Sequence, residues 1–269
     1  MEKQVTFKTL DPTAQIFTEL KSCNYLWWER IKEDPQLYVE VRKNNEIHVY
    51  FEGGRVVRLR YCSKHKKLQA LTHEKYLSGD GDKYVNCIDK LDGSIDHIIK
   101  NIKCKYSEKN GVTKEKWSEK FIQGHLIINN RTKYLDSEFA YKDGTRDIRI
   151  DLLECINGGV SCVELKRIDD ARMLKKDDSD PKIISQMNEY REFITHYSSE
   201  ILAYYQKVYE IKKALRLPIP NQAPTHINEN PLLLIFNRWD KTNKRREERT
   251  KRIEEILYGQ VMYSIINQF

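Results

Sequence analysis

The sequence predicts an α/β protein: a small β-rich part, then a core of helix, three antiparallel strands, helix and strand. Three observations carry this prediction. Strand-like stretches separated by turns follow a first helix. Further on, two apolar runs flank "NGG" at 157–159, a strong hairpin signal. After the hairpin come a long helical stripe and a wholly apolar pentapeptide, "LLLIF", of the kind buried on both faces of a sheet.

Residues 12–34 carry Phe17, Leu20, Trp27 and Ile31 at helical spacing, and Asp34-Pro35 ends that helix because the residue before proline avoids helical backbone. "LYVEVR", "EIHVYFE", "RVVRLRYC" and "KLQALT" read as an antiparallel meander turned at "KNN" and "EGG". The polar stretch 78–112 is the expected boundary, dividing residues 1–105 from residues 106–269. In the second part, residues 113–128 form a helix with Trp117, Phe121 and Ile122 on one side, and "KYLDSEFAYK" is a strand. The hairpin "RDIRIDLLECI…VSCVELKRI" follows, then a polar loop, "DDARMLKKDDSD". Asp180 is the expected cap and Pro181 the first residue of a helix striped by Ile183, Met187, Tyr190, Ile194 and Tyr197. Residues 199–215 continue it. A proline-punctuated loop leads to "LLLIF", and a last helix runs from about Asp240 into "ILYGQVMYSII". That apolar tail is expected to pack on the domain or on a second subunit, the route to a homodimer.

Composition limits the class. With 269 residues, 39% hydrophobic and 32% charged, the chain can bury a sizeable core and is not of disordered type. No run of about 18 apolar residues exists, so no membrane span is expected, and no secretory signal is read in the first thirty residues. Six cysteines are scattered without CxxC, which fits reduced thiols and a cytoplasmic location. The net charge of +7 is compatible with a polyanionic partner without demanding one. Trp27, Trp28, Tyr38 and Tyr50 lie among Arg55, Arg58 and Arg60; the aromatics are expected in the core rather than on a base-stacking surface. "KRREERTKR" mixes signs and reads as a solvated helix with internal ion pairs.

The hairpin holds charges where apolar residues belong. Asp151 shares a strand face with Leu153 and Cys155; Glu164 and Lys166 share one with Val160 and Cys162. If "NG" is the turn, Asp151 faces Glu164. If "GG" is the turn, Asp151 faces Lys166 with Glu164 diagonal to it. Either way two carboxylates repel unless something positive sits between them. Lys166 is one candidate and a hard divalent cation is another, since Mg²⁺ takes one or two carboxylates, water and substrate phosphate.

"IDLL", a hairpin, then "VELK" resembles the PD-(D/E)xK nuclease superfamily, whose restriction-endonuclease-like core has the element order read here from 113 to 237. The proline of the family name is absent; Arg149-Ile150 stand there. "QMNEY", Gln186 to Tyr190, resembles the QxxxY motif of the RecB-like branch. The resemblance implies a Mg²⁺-dependent (or Mn²⁺-dependent) nuclease acting on DNA, with RNA an alternative, in defence, restriction or repair. It implies Asp151 and Glu164 as metal ligands and Lys166 as the catalytic lysine, with Gln186 and Tyr190 reaching toward the metal site or the DNA backbone. By the same resemblance Glu119 is expected to assist the metal, with Glu138 its rival. Products would carry a 5′-phosphate and a 3′-hydroxyl, and replacing Lys166 should abolish cutting with little loss of stability. The first part would recognise substrate, bind a regulatory ligand or mediate dimerisation. A non-catalytic nucleic-acid-binding or regulatory module on the same fold is the alternative.

Overall fold

The computed structural model describes residues 7, 9–77, 81, 83–110, 113–174 and 181–269. It is a mixed α/β protein with one antiparallel sheet and one mixed sheet. The first helix of the sequence reading is two, α1 (Gln15–Ser22) and α2 (Leu26–Glu33), because the chain is extended at Cys23 and Tyr25. The meander follows: β1 (Tyr38–Arg42), β2 (Glu46–Phe51), β3 (Gly54–Cys62) and β4 (Lys67–His73), with a short β5 (Tyr84–Asn86) on its edge. Trp27 and Trp28 are fully buried, so the aromatics belong to the core as expected.

The polar stretch expected as a boundary contains a helix, α3 (Leu91–Asn110), which carries the chain across residues 105–106. Leu91, Ile95, Ile98, Ile99 and Ile102 form a buried stripe at helical spacing, diluted in sequence by the charged residues between them. Among the described residues no helix is long and apolar enough to cross a membrane.

Among the described residues six strands form the second sheet. Helix α4 (Glu119–Asn129) precedes it, capped by Ser118, whose hydroxyl accepts from the Phe121 N–H. Trp117 therefore lies before the helix rather than inside it. Strands β6 (Tyr134–Lys142), β7 (Asp147–Ile156) and β8 (Gly159–Arg167) are antiparallel. Helix α5 (Lys182–Ala214) runs 33 residues with a break in helical geometry at Tyr197. Pro181 stands at its N-cap, one position earlier than expected, and the expected Asp180 cap lies outside the described residues. A two-residue strand, β9 (His226–Ile227), pairs with β8, and β10 (Leu232–Phe236) lies parallel to β8. Helix α6 (Lys244–Leu257) ends earlier than expected. Gly259 takes the left-handed backbone and the tail becomes β11 (Met262–Ile266), parallel to β10 at the sheet edge.

Alternation gives the second sheet two apolar faces. Leu152, Val163, Leu165, Leu234 and Phe236 pack with Ile122 and Leu126 of α4. Leu153, Cys162, Leu233 and Ile235 share a cluster with Met187, Tyr190 and Ile194 of α5. That second cluster continues into the first sheet and its helices, through Val41, Val57 and Trp28. Buried polar groups join the two sheets. The Lys212 ammonium of α5 reaches Glu40 of β1 at 2.8 Å and the Leu135 carbonyl at 2.7 Å. Arg42 pairs with Asp136, which also accepts from the Tyr205 hydroxyl at 3.1 Å.

Candidate active site

The hairpin turn is Asn157-Gly158, both at positive φ, which is the geometry of a two-residue hairpin loop. Glycine is needed there: a side chain on Gly158 would meet the Thr225 hydroxyl at 2.6 Å. The ladder runs from Ile156↔Gly159 to Leu152↔Val163, and one further step sets Asp151 opposite Glu164. Of the two registers left open by the sequence, the "NG" one is present. The backbone pairs end at Leu152↔Val163, where the charged residues begin. Instead of a ladder bond, the Leu165 N–H donates to Asp151 Oδ2 at 2.9 Å.

Lys166 Nζ lies among three oxygens. It donates to Glu164 Oε1 and, at 2.9 Å, to the Leu165 carbonyl, and it stands 3.8 Å from Asp151 Oδ2. Glu164 and Lys166 are buried, held between β7 and the apolar residues Leu233 and Ile235 of β10, whereas the Asp151 side chain is one-third exposed. Burial, then the neighbouring Glu164 carboxylate, push the Asp151 carboxyl up to about 7, against the pull of Lys166 and the Leu165 N–H.

Gln186 and Tyr190, one helical turn apart on α5, both reach Glu164. Gln186 Nε2 donates to Glu164 Oε1 at 2.7 Å and to the Tyr190 hydroxyl at 2.8 Å. The Tyr190 hydroxyl has one proton for two acceptors, the Arg149 carbonyl and Glu164 Oε2 at 3.0 Å. Tyr190 thus belongs to the core stripe and to the polar cluster at once, and burial beside Glu164 holds its hydroxyl protonated. Tyr190→Phe removes the one proton that Glu164 and the Arg149 carbonyl share and should lower stability by about 1–3 kcal/mol in urea unfolding. An unchanged unfolding midpoint would reduce Tyr190 to apolar packing.

Glu119, in the first turn of α4, is half-buried. Burial raises its pKa, partly offset by Lys166, and it pairs with Arg172 at 3.9 Å. Glu138 takes a positive φ of 52° on β6, opposite Asp151 in the strand register, and pairs with Lys120 at 3.1 Å. The two rivals thus flank Asp151 from different elements, each with a basic partner. His125 packs against Phe121 and Phe269 and stands 3.5 Å from Glu52, away from the cluster.

Gln123 escaped sequence reasoning. Its side-chain amide donates to the Asp151 carbonyl from the buried face of α4. The signal was a glutamine inside the apolar stripe of Phe121, Ile122 and Leu126, where an amide is costly unless bonded. A cavity of about 460 Å³ opens beside Asp151, with Lys43, Lys120, Lys142 and Arg149 on its walls. Lys43 comes from the turn after β1, so the first sheet contributes to that groove.

The donor set suits a hard cation: carboxylate oxygens of Asp151 and Glu164 and the Leu165 carbonyl, with an ammonium already drawn into their midst. Among the described residues no group of three or more histidine, cysteine or acidic side chains converges as a metal site, so a cation here would rest on two carboxylates and backbone oxygen.

Fold and site define a mixed α/β protein with a two-carboxylate, one-lysine centre at the open end of a hairpin. Comparison with family models, curated proteins and solved structures gives no match to this chain.

Proposed function

We propose that the chain is a divalent-metal-dependent nuclease of the PD-(D/E)xK type, hydrolysing phosphodiester bonds of DNA, with residues 113–237 as its restriction-endonuclease-like core. One observation carries the reading. Asp151 and Glu164 meet across the end of a strand pair with the Lys166 ammonium between them, at the side of a groove lined by four basic side chains and by Glu138 and Asp147, with which three of the four pair. Asp151, Glu164 and the Leu165 carbonyl would hold Mg²⁺ or Mn²⁺, which supplies polarisation of the phosphate and a bound water of lowered pKa. Lys166 orients the attacking water and offsets charge developing at phosphorus. Gln186 and Tyr190 act on Glu164, fixing the carboxylate rather than touching substrate. Lys43, Lys120, Lys142 and Arg149 track the phosphate backbone toward Asp151.

The test is cleavage of supercoiled and linear plasmid with Mg²⁺ or Mn²⁺ against EDTA. Nicking of the supercoiled form indicates an endonuclease, and loss of the linear form alone an exonuclease. No cleavage of DNA or RNA under any divalent ion would overturn the reading in favour of a binding module.

The Asp151 carboxyl gives a pH signature. Its folded pKa, about 7, stands above the unfolded value, so its protonated form favours folding. That contribution is complete below about pH 4 and is lost as pH rises through 7. A cation needs the deprotonated form. The rise in melting temperature on adding Mg²⁺ should therefore be larger at pH 8 than at pH 5.5, and equal rises would remove Asp151 as a ligand.

A further inference from the structure

In sequence, α6 reads as a solvated helix of mixed charge. Its basic residues are not evenly spread. Arg245, Arg249 and Arg252 recur at spacings of four and three, which places them on one helical face. With Arg246 they line a cavity of about 620 Å³ whose other walls include Trp239 and Asp169. Two of the four guanidinium groups are committed. Arg246 pairs with Glu115 at 2.9 Å and lies over the Trp239 ring at 5.4 Å. Arg249 donates to the carbonyls of Ile168 at 2.9 Å and Asp170 at 2.8 Å. Arg245 and Arg252 are exposed and have no ion pair among the described residues. Among the described residues the carboxylates lining the cavity do not balance them: Asp169 is shared between Arg167 at 3.3 Å and Arg238 at 3.5 Å, leaving Glu248 against four arginines. A planar guanidinium fork matches the oxygens of a phosphate group, and two such forks a turn or two apart on one face can grip one phosphate or two neighbours.

The cavity is tied to the catalytic strand. Ile168, Asp169 and Asp170 directly follow β8, which carries Glu164 and Lys166. Asp170 holds Arg172 at 2.6 Å, and Arg172 stands 3.9 Å from Glu119. The backbone held by Arg249 is therefore only two to four residues from Lys166.

We propose that the cavity between α6 and the segment after β8 is a phosphate-binding site, in which Arg245 and Arg252 grip the backbone of the strand being cut, at a position beyond the groove beside Asp151. A free polyphosphate has the same chemistry and is the other source. The phosphate site stands on the arginine geometry alone; its assignment to the substrate strand rests on the nuclease reading.

The test uses the full chain in EDTA, so that binding is read without cutting, and compares it with Arg245→Glu/Arg252→Glu. Both residues are exposed, so folding is not at stake, and an unchanged melting temperature checks this. Labelled oligonucleotide should bind the variant at least about tenfold more weakly at 0.15 M salt. The slope of log affinity against log salt should shrink by about 1.4–1.8, the share of two phosphate contacts. Inorganic tripolyphosphate should stabilise the wild type and not the variant. Loss of the tripolyphosphate effect with oligonucleotide binding intact would uphold the site and assign it to a free polyphosphate. Unchanged affinity, slope and tripolyphosphate response would overturn the proposal. The nuclease reading is decided separately, by Mg²⁺-dependent cleavage with the wild type: absent cleavage with these binding effects present would remove that reading and leave the phosphate site standing.

Discussion

Lys166→Ala should lower the rate of DNA cleavage by about 10²- to 10⁴-fold, the range spanned by positioned proton-transfer and charge-stabilising groups. Among the described residues the ammonium is the one positive group paired with both Asp151 and Glu164, and it is nearly wholly buried. Sequence alone suggested that its removal would cost little stability. The structure argues otherwise for the metal-free protein, because two carboxylates lose the cation that offsets their repulsion. The variant should therefore melt lower without divalent ions and recover most of the difference in Mg²⁺, since Asp151, Glu164 and the Leu165 carbonyl all remain. Lys166→Met, which fills nearly the same volume, separates lost chemistry from lost packing. Cleavage at wild-type rate in both variants would remove Lys166 from the mechanism.

Lys212→Met should destabilise the protein by about 3–5 kcal/mol, the cost of stripping one partner from a buried ion pair. Glu40 is 1% exposed and Lys212 4% exposed. Burial already raises the Glu40 pKa, and Lys212 is the group that most opposes the rise. Without it, Glu40 faces Asp136 across Ser137, which donates to Glu40 at 3.1 Å. The double replacement Glu40→Gln/Lys212→Met should cost less than the sum of the single changes, because no unpaired charge is then left behind. Urea unfolding reads all three. A loss below about 1 kcal/mol for Lys212→Met would mean that water reaches the pair.

The hairpin was legible because its turn and its period-two alternation agree, and both are local. "NG" was one of two registers; in the structure Asn157 and Gly158 both take positive φ, and Thr225, distant in sequence, packs on Gly158. The apolar "LLLIF" strand and the α5 stripe were legible for the same local reason. Helix α3 was not, because five buried aliphatics stand among lysine, aspartate and asparagine, and composition hid the stripe. Strand β11 was read as helix because "MYSII" follows a helical pattern and only the turn around Gly259 breaks it. At the site, the types and spacing of Asp151, Glu164 and Lys166 were readable. That Gln186 and Tyr190 both turn to Glu164, that Gln123 holds the Asp151 carbonyl and that Arg249 holds the segment after β8 depend on contacts across 22 to 81 residues of chain.

Helix α5, at 1.5 Å per residue, is a rod of about 50 Å. Its first turns order the Glu164 carboxylate through Gln186 and Tyr190, and its last turns anchor the meander through Lys212. The two halves of the molecule are thus geared to one shaft, and a tilt of the meander has a direct mechanical route to the Glu164 carboxylate. Tyr197 is the joint in that shaft, so it decides how much of any such tilt arrives.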